Sequence, residues 1–168
     1  MAKLYIITGP AGVGKSTVSK KLAEKCSKSV LIEGDEIYHQ VIGGYVPAWQ
    51  EGNHLEIFWE ICFNTIKIYL KNEFNVIFNY IISPEKIELI KKEFSEFEIK
   101  FVVLMTDEKT LLLRDGQRDD YCQMKERCVV LLNKFKNRNY NKNNVLDSSG
   151  LSVEETVEII NGDRRFVV

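Results

Sequence analysis

The sequence contains no long hydrophobic run and almost no excess of charge. No apolar segment reaches the ~20 residues that a membrane helix needs, and the run before Gly9 is too short for the core of a signal peptide. The formal net charge is −1, so no global field attracts a nucleic acid or an anionic membrane. We therefore expect no membrane partner and no long nucleic acid as a partner.

Cysteine is scarce and lacks the spacing of a metal site. No two cysteines form a Cys-x-x-Cys pair, and all fall in segments of helical character: Cys26, Cys62, Cys122 and Cys128. This pattern argues against a zinc site or a disulfide framework. It favours reduced thiols, and thus a cytoplasmic protein.

The sequence does contain an alternation of strand-like and helix-like segments. Its 168 residues, 45% hydrophobic and 28% charged, suit a single domain spanning 1–168. Strands are predicted at 3–8, 29–35, 75–81, 98–105 and 145–147, and the main helices at 15–26, 53–72, 107–138 and 152–161. The alternation predicts an α/β fold with a parallel sheet covered on both faces. Ligands of such sheets bind where the strands end, so the loops after these strands should meet at one site.

Residues 9–17, GPAGVGKST, match the phosphate-binding pattern G-x-x-x-x-G-K-[ST] between a predicted strand and a predicted helix. Backbone N–H groups of such a turn surround a phosphate, and the helix adds the positive end of its dipole. Lys15 supplies a charge for the outer phosphates, and Ser16 supplies a hydroxyl ligand for Mg²⁺. The predicted nucleotide site comprises Gly9, Pro10, Ala11, Gly12, Val13, Gly14, Lys15, Ser16 and Thr17.

Four blocks of the chain, in order, resemble the small P-loop kinases, a group that includes gluconate kinase, shikimate kinase, adenylate kinase and chloramphenicol phosphotransferase. The blocks are LYIITGPAGVGKST, IEGDEIYH, LLLRDGQRDD and VLDSSGLSVEE, and the whole is most similar to bacterial gluconate-kinase-like proteins. The resemblance implies a three-layer sandwich around a five-stranded parallel sheet of order 2-3-1-4-5. It also implies ATP and Mg²⁺ as cofactors, an acceptor-binding region at about 36–72 and a short arginine-bearing lid at about 114–127. The γ-phosphoryl group would pass to a hydroxyl of a small molecule.

The resemblance also implies roles for polar residues outside the motif. Asp35 would accept or orient the proton of the acceptor hydroxyl, and a helix N-cap is its alternative role. Arg114 would pack against the nucleotide base, and Arg118 would reach the phosphates from the lid. Pairing with nearby acids is the alternative for both arginines. Glu33 and Glu36 flank Asp35; binding of the substrate is one role open to them, and we interpret them as a solvated acidic turn.

Asn79 ends the third strand, where similar folds usually carry an aspartate that helps to hold the metal. Its amide oxygen can accept a hydrogen bond from a water held by the metal, but it brings no charge. Because of Asn79, one alternative is a regulatory protein that binds nucleotide without transferring phosphate. A nucleoside or polynucleotide kinase is another alternative. The leading hypothesis is a kinase for a gluconate-like sugar acid, a sugar or an antibiotic, acting as a monomer or homodimer. The lack of an arginine cluster favours a neutral acceptor.

Overall fold

The five strands form one parallel sheet in the order β2-β3-β1-β4-β5. The computed structural model describes residues 2–117, 119 and 123–168. The strands are β1 Lys3–Thr8, β2 Ser29–Glu33, β3 Asn75–Asn79, β4 Glu98–Met105 and β5 Val145–Asp147. The predicted fold class is therefore confirmed, including the order 2-3-1-4-5. The second strand ends two residues before its predicted end, because Gly34 already belongs to the following helix.

Seven α-helices in the described residues flank the sheet. They are α1 Lys15–Lys25, α2 Gly34–Tyr38, α3 Leu55–Lys71, α4 Pro84–Glu93, α5 Glu108–Gly116, α6 Glu126–Lys136 and α7 Val153–Gly162. Among the described residues, no helix is both long and apolar enough to span a bilayer.

The core has two layers, because alternate residues of each strand point to opposite faces of the sheet. Leu4 and Ile6 of β1 belong to a cluster that α3 and α4 cover. Tyr5 and Ile7 of the same strand belong to a second cluster with α1 and α7. Helices on both faces thus bury the sheet, as parallel sheets require.

Local capping sets the start of several helices. The side chain of Ser83 accepts a hydrogen bond from the backbone of α4, whose first residue is Pro84. Ser152 forms a reciprocal capping box with Glu155 at the start of α7. Asp107 caps α5 in the same way as Ser83 caps α4. The sequence predicts caps at Ser83, at Thr106 or Asp107, and at Ser152, and the structure confirms them.

The helical stretch predicted over 107–138 is interrupted in the structure. Helix α5 ends at Gly116, and α6 begins at Glu126. Asp115 explains the break, because its buried carboxylate accepts hydrogen bonds from the backbone N–H groups of Met124 and Lys125, at 2.9 and 2.7 Å. A carboxylate held in this way keeps the returning chain against the end of α5.

Lys100 is a buried cation that stabilises the end of α7. Its side chain on β4 is 3% exposed. The ammonium donates hydrogen bonds to the carbonyl oxygens of Ile160, Asn161 and Asp163, at 3.1, 2.7 and 3.2 Å. These carbonyls lie at the end of the helix, where partners within the helix run out and the dipole is negative. Lys100 therefore ties α7 to the central sheet.

Replacing Lys100 with methionine should destabilise the protein, because the carbonyls lose their charged donor while the aliphatic volume is kept. We expect a loss of about 2 kcal/mol in the free energy of unfolding, and a melting temperature lower by roughly 4–8 °C in a chain of this size. Thermal denaturation followed by circular dichroism measures this change. Lys92→Met, on the exposed side of α4, is the matched control. Equal melting temperatures for the two variants would contradict the capping role.

Candidate functional site

Residues 9–17 form the turn that joins β1 to α1. Gly9 has a φ angle of 149°, and a Cβ atom at this position would lie 2.3 Å from the carbonyl oxygen of Leu104. Only glycine fits so close to β4. Helix α1 starts at Lys15 with no acid in its first turn, and no side chain of the described residues caps it. The first N–H groups of α1 therefore point into the turn, as a phosphate site requires.

The cation and the hydroxyl of the motif lie on this turn. The ammonium of Lys15 donates a hydrogen bond to the carbonyl oxygen of Pro10, at 3.0 Å. Ser16 and Thr17 are exposed in the first turn of α1. The structure thus brings the charge and the hydroxyl of the predicted nucleotide site together over the phosphate-binding backbone.

Glu33, Asn79 and Ser16 form a hydrogen-bonded group at the carboxyl ends of β2 and β3. Glu33 and Asn79 are paired in the register of the two strands. The amide nitrogen Nδ2 of Asn79 donates to Oε2 of Glu33, at 2.5 Å, and to Oγ of Ser16, at 3.1 Å. The Ser16 hydroxyl lies 3.4 Å from the same carboxylate oxygen. A carboxylate therefore does lie at this end of the sheet, on β2 instead of β3.

The surroundings of Glu33 disfavour the negative charge of its carboxylate. Burial raises the pKa of its carboxyl group above the ordinary value of 4.5, the Asn79 amide partly offsets this, and the charge of Glu36 adds to it. The oxygen Oδ1 of Asn79 is buried and has no hydrogen-bond partner among the described residues. The group thus holds one desolvated negative charge and one unused acceptor.

The interpretation of Glu33 as part of a solvated turn is therefore wrong. Glu33 is the last residue of β2 and is half-buried, whereas Glu36 is exposed on α2. The signal that could have identified Glu33 was the pairing of the ends of β2 and β3. If both strands end at the same edge of the sheet, the last residue of β2 lies beside Asn79.

Asp35 lies in the first turn of α2 and is exposed. The residue preceding α2 is Glu33, and no side chain of the described residues caps this helix. The alternative role of Asp35 as an N-cap is therefore wrong. Burial and then the charge of Asp35 raise the pKa of Tyr80. Asp35 is thus a solvent-accessible carboxylate beside the end of β3, and its role in proton transfer stays a prediction.

Arg114 joins three parts of the site. Its guanidinium donates to the carbonyl oxygen of Val13 in the phosphate-binding turn, at 2.9 Å. It also donates to the hydroxyl and the carbonyl oxygen of Ser148, at 3.1 and 2.8 Å. Arg114 thus sits where α5, the turn and the loop before α7 meet, and its contact with a base stays a prediction. Arg118 lies outside the described residues.

The predicted acceptor region contains a group of aromatic rings. Tyr38 stacks on His54 with 4.1 Å between ring centroids, and Tyr45 meets Tyr38 edge to face at 6.0 Å. The exposed ring of Trp49 lies 5.4 Å from the guanidinium of Arg127, at the start of α6. This last contact joins the loop after α2 to the helix that follows the predicted lid.

Comparison with known proteins places the chain in a family. A family model described as an AAA domain (AAA_33) matches residues 4–130. No curated protein matches the sequence. The match covers both the phosphate-binding turn and the group around Glu33.

Solved structures of similar fold include several kinases. The tunicamycin resistance protein of Deinococcus radiodurans superposes with a TM-score of 0.69 at 19% identity, over 95% of this chain and 94% of that one. A gluconokinase from Sinorhizobium meliloti 1021 superposes with a TM-score of 0.64 at 18% identity, over 94% and 89%. A chain of the Pnkp1/Rnl/Hen1 RNA repair complex superposes with a TM-score of 0.61 at 22% identity, over 80% of this chain and 45% of that one. The predicted resemblance to the small P-loop kinases is confirmed, and these likenesses establish the fold.

The raised pKa of Glu33 predicts a stability effect that depends on pH. A carboxyl group whose pKa is higher in the folded protein favours folding when protonated and loses that contribution as the pH rises. Without metal or nucleotide, Glu33→Gln should therefore melt higher than the natural protein at pH 7. The difference should shrink at pH 4, below the ordinary pKa of the group.

Thermal denaturation of both proteins at the two pH values, with chelator present, measures this difference. Glu96→Gln changes the same charge on an exposed residue before β4, and it should show no such dependence on pH. The quantity compared is the melting temperature of Glu33→Gln minus that of the natural protein. If this difference is smaller at pH 7 than at pH 4, the carboxylate of Glu33 is not destabilised by burial.

Proposed function

The chain belongs to the AAA domain family, and from this premise we propose that it is an ATP- and Mg²⁺-dependent phosphotransferase. It moves the γ-phosphoryl group of ATP to a hydroxyl of a small molecule. The observation that carries this proposal is the position of Glu33, Asn79 and Ser16 beside the phosphate-binding turn. They supply a carboxylate and a hydroxyl where the metal of an NTP site would be needed.

The side chains at this place fit a magnesium ion. Mg²⁺ prefers oxygen ligands and keeps several waters. Ser16 and Glu33 would hold the ion, and the unused Oδ1 of Asn79 would accept a hydrogen bond from its hydration shell. Within the described residues, no group of three or more His, Cys, Asp or Glu is placed so that it could hold a metal ion by itself, so phosphate oxygens and water would complete the set. When bound, the ion would neutralise charge on the β- and γ-phosphates.

Other residues of the chain accept the proton and hold the phosphates. In the transfer, a bond forms between the acceptor oxygen and the γ-phosphorus. The bond from this phosphorus to the bridging oxygen breaks, and ADP leaves with the electron pair. Asp35 accepts the proton of the acceptor hydroxyl. Lys15 and the N–H groups of 9–17 hold the phosphates and stabilise their charge. Positioning contributes most of the rate in such a reaction.

The two lid arginines complete the proposed site. Arg114 stays where Val13 and Ser148 hold it and presents the flat face of its guanidinium beside the nucleotide. Arg118 would bind the transferred phosphate from the lid, because a planar guanidinium suits bidentate contact with phosphate.

A polynucleotide acceptor is the second candidate, since a chain of an RNA repair complex shares the fold. The net charge of −1 argues against it, because a protein that binds a polyanion neutralises several phosphates with Lys and Arg. A regulatory protein that binds ATP without transferring phosphate is the third. It was favoured by the missing carboxylate at position 79, and Glu33 removes that reason.

Replacing Asp35 with asparagine should separate transfer from binding. The amide keeps the size of the side chain but cannot accept the proton, so we expect kcat to fall by about 10²- to 10⁴-fold. The affinity for ATP should not change, because Asp35 makes no contact with the phosphate-binding turn in this proposal. The release of ADP in the presence of sugars, sugar acids, aminoglycosides and nucleosides measures kcat. Calorimetric titration with ATP measures the affinity for ATP. Undiminished transfer by Asp35→Asn would refute the role of Asp35.

Moving the carboxylate from β2 to β3 tests the metal site. Glu33→Gln should raise the Mg²⁺ concentration for half-maximal activity by about 10- to 100-fold, the usual effect of weakening a metal's surroundings. The double variant Glu33→Gln with Asn79→Asp restores one carboxylate in the same group, and it should recover most of the loss. Asn79→Asp alone should tighten the binding of Mg²⁺ and lower the melting temperature without the ion, because two carboxylates then face each other.

The control for this series is Glu96→Gln, which changes the same charge at the other end of the sheet. The Mg²⁺ dependence of ADP release is measured for the natural protein and for all four variants. If Glu33→Gln needs no more Mg²⁺ than the control, Glu33 does not hold the ion.

A further inference from the structure

The outer face of α3 carries a line of exposed isoleucines. Ile57, Ile61 and Ile68 expose 61, 42 and 62% of their surface. The opposite face of the helix packs on the sheet through its buried residues, which are Phe58, Cys62, Ile66 and Leu70. Single exposed apolar side chains are ordinary on a protein surface, but several in line on one helix face mark an interaction surface.

The spacing of this line is that of paired helices. Ile57, Ile61, Asn64 and Ile68 follow one another in steps of four, three and four residues. Side chains repeat in this way along the seam of two helices that pack side by side. Asn64 is exposed like its neighbours, and one polar residue in such a seam fixes the register of the pair. We call these four residues the α3 stripe.

The charges of α3 are separated along its length. The acids Glu56 and Glu60 lie in its N-terminal half, and the bases Lys67 and Lys71 lie in its C-terminal half. This order suits the helix dipole, and it also makes the surface complementary to itself. A second copy of α3 that runs in the opposite direction presents a base to each acid. A copy that runs in the same direction places like charges at the same level, where they repel each other.

We propose that two copies of this chain pair through the α3 stripe, with the two helices antiparallel. In this pair Ile57 faces Ile68 of the partner subunit. Glu60 lies beside the seam and faces Lys67 of the partner subunit, while Asn64 lies near the two-fold axis. Each contact occurs twice, as the symmetry of a homodimer requires. The isoleucines supply the buried apolar area of the interface, and the charges fix the direction of the helices.

The size of the α3 stripe predicts a weak pair. Standard protein interfaces involve about 20–30 residues of each partner, whereas the stripe and its flanking charges are far fewer. We therefore expect a reversible dimer with a dissociation constant of about 1–100 µM. No residue of the stripe belongs to the phosphate-binding turn over 9–17, so pairing and phosphate binding use separate parts of the chain.

Sedimentation equilibrium of the full chain tests the pairing. Over about 1–300 µM protein, the average mass should rise from that of one chain toward that of two. Ile61→Asp should keep the protein monomeric over this range, because the pair would bury two unpaired carboxylates in its seam. Val130→Asp makes the same kind of change at an exposed apolar residue of α6, and this control should dimerise like the natural protein.

Charge reversal tests the antiparallel direction. Glu60→Lys places a lysine opposite Lys67 of the partner subunit, twice in each dimer, and should raise the dissociation constant about tenfold. Within one chain, the ammonium of Lys67 lies 2.8 Å from a carboxylate oxygen of Glu93 on α4. The rescue variant therefore reverses Glu60, Lys67 and Glu93 together, which keeps opposite charges both across the pair and within the chain. It should return the dissociation constant to within about threefold of the natural value.

Three outcomes would overturn the proposal. The natural chain stays monomeric at the highest concentration, or it forms a dimer that Ile61→Asp does not weaken, or charge reversal weakens the dimer and the rescue variant does not restore it. Circular dichroism of each variant separates a loss of pairing from a loss of fold. If Ile61→Asp does not fold, Glu60→Lys and its rescue decide, because Glu60 is exposed and its replacement leaves the core unchanged.

Discussion

The arrangement of the candidate site depends on a half-buried carboxylate held by an amide. Glu33 ends β2, Asn79 ends β3, and the hydrogen bond between them fixes a negative charge beside the hydroxyl of Ser16. Burial opposes this charge, and the amide compensates only in part. The ligand-free protein therefore keeps an anion that its own fold disfavours. Such local instability is common where a site is prepared for a charged partner, and in the proposed function that partner is the magnesium of the nucleotide.

Different parts of the site, along the edge of the sheet where Glu33 and Asn79 lie, have different proposed roles. In the proposed function, the turn over 9–17 and its helix dipole bind the phosphates, and the junction of β2 with α2 binds the metal and the acceptor. Asp35 lies in the first turn of α2 and is exposed to solvent. Because parallel strands end at one edge of the sheet, residues far apart in sequence meet there without a dedicated domain.

The features that the sequence predicts well are local ones. The turn over 9–17 between a strand and a helix, the caps at Ser83 and Ser152 and the alternation of strands with helices depend on neighbouring residues, and they were confirmed. The errors concern contacts between distant residues. The position of Glu33 depends on the register between two strands separated by about forty residues. The break after α5 depends on a buried carboxylate, Asp115, that binds backbone groups nine and ten residues later. Gly116 is a local signal for the end of α5, but it does not predict that the chain returns to Asp115.

The position of β2 in the sheet has a further consequence. It is an outer strand, paired with β3 alone, so it opens more readily than the strands inside the sheet. If Glu33 holds the metal, each opening of β2 removes a ligand and leaves the phosphate-binding turn intact. Metal binding and closure of this strand are then linked. Bound ion slows hydrogen exchange at the backbone amides of Ser29–Glu33, and a change that loosens β2 weakens the binding of the ion. The affinity for magnesium thus depends on the stability of the least supported strand flanking the site.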